Sequence, residues 1–131
     1  MMSDPISDFL SRIRNALMIR REKVELKSSK MLERIADILE KQGYVEGYTV
    51  EKVGPSSMMQ MRLKYDEKGL PVIEGLRRIS KPGLRVYTDA KSHTQIRGGM
   101  GISIVSTSRG MMTGTEAKQE RIGGEVICHV W

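Results

Sequence analysis

Glycine is spread very unevenly along this chain of 131 residues: ten of its thirteen glycines lie at or after Gly69. A segment so often interrupted does not support long helices, because each interior glycine costs about 1 kcal/mol relative to alanine and favours turns. Two parts of different character are therefore expected, and the length allows one domain or two small subdomains. We place the division at the turn Asp66-Glu67-Lys68-Gly69. The expected fold class is α+β, with an N-terminal α/β subdomain over residues 1–67 and a C-terminal, mostly antiparallel β subdomain with a short helix over 68–131.

In the first part, Asp4-Pro5 reads as an N-cap and first helical position. Ile6, Phe9, Leu10, Ile13 and Leu17 then recur at helical spacing, with Arg12 and Arg14 off the apolar stripe. Val24 and Leu26 alternate with charges, predicting a strand over 23–27. Ser28-Ser29 caps a second helix whose stripe is Leu32, Ile35, Ala36, Ile38 and Leu39, stopped by Gly43. Strands are expected over 44–53 and 58–65 around Gly54-Pro55, which makes the order α-β-α-β-β. The second part predicts strands over 72–79, 84–88, 102–106 and 125–130. A capping box at Thr113 and Glu116 starts a helix over about 114–121, and an exposed loop is expected over 91–101.

The single cysteine, Cys128, excludes an internal disulfide framework, and no apolar run exceeds the four residues from Ala16 to Ile19. A soluble, cytoplasmic protein is expected, with no membrane partner and no visible secretory signal.

The net charge of +6 is concentrated. Residues 9–30 carry a net +5 and residues 77–109 a net +6, so the remainder carries −5. Such segregation is the footprint expected of a nucleic-acid binder, although charge runs also decorate ordinary solvated faces. Only six residues are aromatic, namely Phe9, Tyr44, Tyr48, Tyr65, Tyr87 and Trp131. A single-strand binder needs an aromatic stacking platform. If the partner is RNA, it is expected to be a structured helix or junction read through its backbone and minor groove.

Enzyme chemistry finds little footing. Two histidines (His93 and His129) and one cysteine do not assemble a Cys/His zinc site. Gly99-Met100-Gly101 begins like a dinucleotide fingerprint, but Ile104 stands where the third glycine belongs. Ser106-Thr107-Ser108-Arg109-Gly110 lacks the glycine that a nucleophile elbow needs two places before Ser108. No enzymatic activity, cofactor or metal is expected. The same pentapeptide suits recognition: three hydroxyls can reach a base edge or a ribose 2′-hydroxyl, Arg109 can pair with a phosphate, and Gly110 permits close backbone approach. These residue types also populate plain turns, so their chemistry alone leaves both readings open.

Five segments, taken in order, resemble the bacterial small-subunit ribosomal protein eight family over the whole chain. They are Asp4-Pro5-Ile6-Ser7-Asp8 with Arg12-Ile13-Arg14-Asn15-Ala16; Ser28-Ser29-Lys30 with Gly43-Tyr44-Val45; Ser80-Lys81-Pro82-Gly83-Leu84-Arg85-Val86-Tyr87; Gly101-Ile102 through Ser106-Thr107-Ser108-Arg109-Gly110-Met111-Met112-Thr113; and Gly123-Gly124-Glu125 with the final Val130-Trp131. The resemblance implies two α+β subdomains and a structural constituent of the small ribosomal subunit. Such a protein binds the central domain of small-subunit rRNA early in assembly, beside neighbouring ribosomal proteins. By motif it assigns Ser106, Thr107, Ser108, Arg109 and Gly110 to the principal RNA loop, with Tyr87 and Arg85 at the same site. It has Glu125 orienting that loop or meeting the RNA, and Ser29, Lys30, Arg12 and Arg14 making an N-terminal contact. Some members also repress their own operon mRNA, which is the alternative function. The stretch from His93 to Met100 departs from the usual family loop, and Arg109 stands where lysine is frequent. Met58, Met59 and Met61 read as packing.

Overall fold

The structure is a computed structural model and describes residues 4–91, 96 and 100–131. The chain divides into two compact units: Asp8–Glu74, and the described residues of Met1–Ser7 together with Gly75–Trp131. The turn after Asp66 is tied back to the first unit. Tyr65 bridges Pro71, and the Val72 N–H donates to the Lys64 carbonyl at 3.0 Å.

Helix α1 (Pro5–Met18) starts as its sequence requires, with the Ser7 N–H donating to Asp4 Oδ1 at 3.2 Å. Ile6, Phe9, Leu10, Ile13, Ala16 and Leu17 are buried, whereas Arg12 and Arg14 are exposed. Helix α2 (Lys30–Lys41) has Ser29 as its N-cap, accepting from the Leu32 N–H at 3.2 Å, and all five residues of its expected stripe are buried. At its end Gly43 has φ 81, its N–H donates to the Glu40 carbonyl, and the Tyr44 N–H donates to that of Leu39.

In the same unit, β1 (Lys23–Lys27), β2 (Val45–Val53) and β3 (Ser56–Leu63) form an antiparallel sheet in the order β1-β3-β2. Strand β3 shows the expected alternation: Met59, Met61 and Leu63 are buried. Met58 lies one residue out of phase and is 37% exposed, so the packing role holds for two of the three methionines.

The second unit holds β4 (Leu76–Arg78), β5 (Tyr87–Thr88), β6 (Ile102–Thr107), β7 (Gly110–Thr113), α3 (Gly114–Gln119) and β8 (Gly124–Val130). Strand β8 is the hub, pairing antiparallel with β4 at one end, with β5 at the other, and with β6 alongside. Ile104, Val105, Met112, Ala117, Ile127, Cys128 and Val130 form its core. Thr113 and Glu116 make the capping box expected for α3. Two expectations need correction, and a third lies mostly outside the described residues. The strands expected over 72–79 and 84–88 contract to β4 and β5, because Lys81-Pro82-Gly83-Leu84 forms a turn closed by a Lys81–Leu84 bridge. Residues 110–113, left unassigned by the sequence, form β7, whose ladder to β6 supplies what local propensity did not. The loop expected over 91–101 falls mostly on 92–95 and 97–99, outside the described residues.

Candidate nucleic-acid interface

Residues 106–110 form the closed end of the β6–β7 hairpin, not an open loop. Thr107 pairs with Gly110, leaving Ser108 and Arg109 as a two-residue turn. Neither Ser108 nor Arg109 has positive φ, so the turn is not of the primed kind that matches strand twist. The adjustment falls on Gly110 at φ 108, a conformation that a residue with a Cβ adopts only under strain. The Thr107 hydroxyl closes the turn. It donates to the Gly110 carbonyl at 2.7 Å and accepts from the Arg109 N–H at 3.1 Å. Ser108 and Arg109 are exposed, and Arg109 Nη1 reaches Glu120 Oε1 at 3.1 Å.

Ladder register places the remaining residues. Ser106 pairs with Met111 on one side and Glu125 on the other, and Glu125 pairs with Tyr87. Directly opposed residues of an antiparallel ladder share a face, so Ser106, Glu125 and Tyr87 form one row across β6, β8 and β5. Val105, on the opposite face of β6, is fully buried, whereas Tyr87 is 69% exposed. Gly124 permits the close packing at the start of the row: a Cβ there would run into the Ser106 carbonyl oxygen.

Glu125 is an acid in a basic neighbourhood, held by two donors. The fully buried Ser80 hydroxyl donates to Oε2 and itself accepts the Val86 N–H at 3.1 Å, while Arg85 Nη1 donates to the same Oε2 at 2.9 Å. Burial by itself raises the carboxyl pKa. The Ser80 and Arg85 hydrogen bonds, with the charges of Arg85 and Arg78, outweigh it and hold Glu125 below the usual carboxylate range. The opposite holds for the Cys128 thiol, which burial pushes up to about 12. His129, opposite the buried Ser103, is pushed down first by burial and then by the charge of Arg77. Cys128 is fully buried and His129 half-buried, and among the described residues no group of three or more His, Cys, Asp or Glu could hold a metal ion. Also among them, no helix is long and apolar enough to cross a membrane.

The four remaining sequence candidates belong to the first unit. Ser29 spends its side-chain oxygen on capping α2, and Lys30 is exposed at the first position of that helix. Arg12 pairs with Asp8 at 3.0 Å and lines a groove of about 590 Å³ together with Asn15, Ile19, Arg21 and Lys23. Arg14, two residues further along, projects from a different side of the helix.

Eight of the twelve sequence candidates, Ser106, Thr107, Ser108, Arg109, Gly110, Tyr87, Arg85 and Glu125, thus share one end of the second unit's sheet. Sequence reasoning did not single out Ser80 or Glu120. Ser80 carries no local signal, being a serine in irregular chain, and Glu120 is one more charge on a helix. The glycine pair Gly123-Gly124 was the readable sign of a tight approach there.

Fold and site together define a small α+β protein that presents hydroxyls, cations and one aromatic ring from a single sheet end. A family model described as Ribosomal protein S8 matches residues 4–131. Among curated relatives, the small ribosomal subunit protein uS8 of Roseiflexus castenholzii is 51% identical, covering 99% of this chain and 98% of its own length. That of Halalkalibacterium halodurans is 49% identical over the same shares, and that of Dehalococcoides mccartyi 45% identical with both chains fully covered. The chain belongs to the ribosomal protein S8 family.

Proposed function

We propose that this protein is a structural constituent of the small ribosomal subunit, working in the cytoplasm without catalysis. It binds the central domain of small-subunit rRNA directly and helps that domain assemble, with other small-subunit proteins as neighbours. The observation that carries this reading is the row Ser106–Glu125–Tyr87 beside the Arg109 hairpin tip. Hydroxyls of Ser106 and Ser108 suit ribose and base edges in a shallow groove, and the exposed Tyr87 ring offers a stacking face to a base displaced from an irregular helix. Arg109 and Arg85 suit phosphates, while an ionised Glu125 suits a base amino donor or holds Arg85 in place. Lys30, Ser29, Arg12 and Arg14 supply a second, backbone-directed contact.

Filter binding of a central-domain rRNA transcript tests this reading. With about five phosphates engaged, the slope of log affinity against log salt is expected near roughly −4 to −5. A flat response overturns it. Co-sedimentation with small subunits is the companion measurement. Absence from that peak, with retained binding to the protein's own operon mRNA, would favour a translational repressor instead.

A further inference from the structure

Among the described residues all three helices end in the same hydrogen-bonded turn, but they place different residues at its left-handed position: Arg20 (φ 56) after α1, Gly43 (φ 81) after α2 and Arg121 (φ 58) after α3. Glycine is the favoured occupant because any side chain there crowds the backbone. Arg20 has a local justification, since its Nη1 donates to the Leu17 carbonyl at 2.8 Å and so caps the helix it ends. Arg121 has none. It is exposed, and among the described residues its guanidinium makes no hydrogen bond or ion pair. The helix dipole does not call for it either, because Lys118 already occupies the last turn of the six-residue α3. Arg121 thus puts a charged side chain at the position of this turn where the backbone favours glycine.

Its location supplies the reason. Arg121 follows Glu120, which holds Arg109 at the hairpin tip, and precedes Gly123 and Gly124, which pack against Thr88 and Ser106. The α3 terminus therefore stands at the same sheet end as Ser106, Tyr87 and Glu125. We propose that Arg121 is an additional RNA-phosphate contact, which extends the hairpin-tip surface onto the end of α3. This rests on the RNA reading above. Glu120, next to Arg121 in the chain, ties the Arg109 guanidinium to the end of α3 at 3.1 Å.

The test separates contact from architecture. A central-domain rRNA transcript is titrated by filter binding between about 50 and 400 mM KCl with the full chain and with Arg121→Gly, Arg121→Lys and Arg109→Ala. Arg121→Gly is expected to weaken binding roughly three- to tenfold and to make the salt slope less negative by about 0.9. Its melting temperature stays at or above that of the parent, because glycine suits the left-handed backbone. Arg121→Lys keeps the slope. An unchanged slope for Arg121→Gly, while Arg109→Ala reduces it, overturns the proposal and leaves the RNA reading standing. Weakened binding in an Arg121→Gly variant that melts lower also overturns it, since that is the mark of a structural role. If the parent chain binds the transcript no better than an unrelated duplex, both fall.

Discussion

The Thr107 hydroxyl is fully engaged within its own hairpin, donating to Gly110 and accepting from Arg109, whereas Ser108 next to it is exposed. The two residues look equivalent as sequence letters and are expected to behave differently. Thr107→Val removes the two side-chain bonds that brace the turn, so it is expected to lower folding stability by about 1–2 kcal/mol as well as weaken RNA binding. Ser108→Ala is expected to keep stability within about 0.5 kcal/mol. It still weakens the cognate rRNA helix more than an unrelated duplex, by about 1–3 kcal/mol. Urea unfolding beside filter binding reads both effects. Equal losses on the two RNAs would mark Ser108 as a non-specific contact.

At the scale of elements, β8 joins strands distant in sequence, and Glu125 near its start is the residue most dependent on them. Its lowered pKa makes the Ser80–Glu125–Arg85 cluster a source of stability with a definite pH dependence. The unfolded chain takes up the proton first, so the contribution is fully present above the ordinary carboxylate value of 4.5 and is lost as pH falls through the lowered value. The difference in unfolding free energy between the parent and Glu125→Gln is therefore expected to narrow as urea unfolding is repeated from about pH 7 down to about pH 3. A difference that stays constant across that range would show that the cluster adds nothing through charge. Ser80→Ala is expected to shrink the same pH-dependent difference, since it removes the buried donor that helps keep Glu125 ionised.

At the scale of the molecule, Asp4 joins the start of α1 to β4, 74 residues away in sequence. It accepts from Ser7 at the helix N-terminus and pairs with Arg78 Nε at 3.1 Å, where the Arg78 side chain is only 9% exposed. Burial raises the Asp4 pKa, but the bonds from Ser7 and Arg78 outweigh it and keep the acid ionised. Asp4→Asn preserves an acceptor for the cap yet leaves a nearly buried guanidinium without its counter-charge, for an expected loss of about 2–4 kcal/mol. Asp4→Ala is expected to cost about 1 kcal/mol more by removing the cap. Thermal unfolding orders the three proteins; an Asn variant as stable as the parent would show that the ion pair adds no net stability.

The sequence by itself determined what depends on neighbours a few residues apart. The buried stripes of α1 and α2, the Ser29 cap, the Thr113–Glu116 box, the Gly43 stop and the inward Met59, Met61 and Leu63 all follow from spacings of two to four residues, and these operate before any distant contact exists. The eight clustered candidate residues were also legible, through motif resemblance and chemistry, but not their arrangement. That Ser106, Glu125 and Tyr87 share one row was decided by pairing between strands 19 to 38 residues apart in sequence, the spending of the Ser80 hydroxyl on Glu125 by a contact across 45 residues, and the existence of β7 by its ladder to the adjacent β6. A strand of two or three residues has too little pattern to announce itself, and register is a long-range choice settled only when β8 has collected its partners.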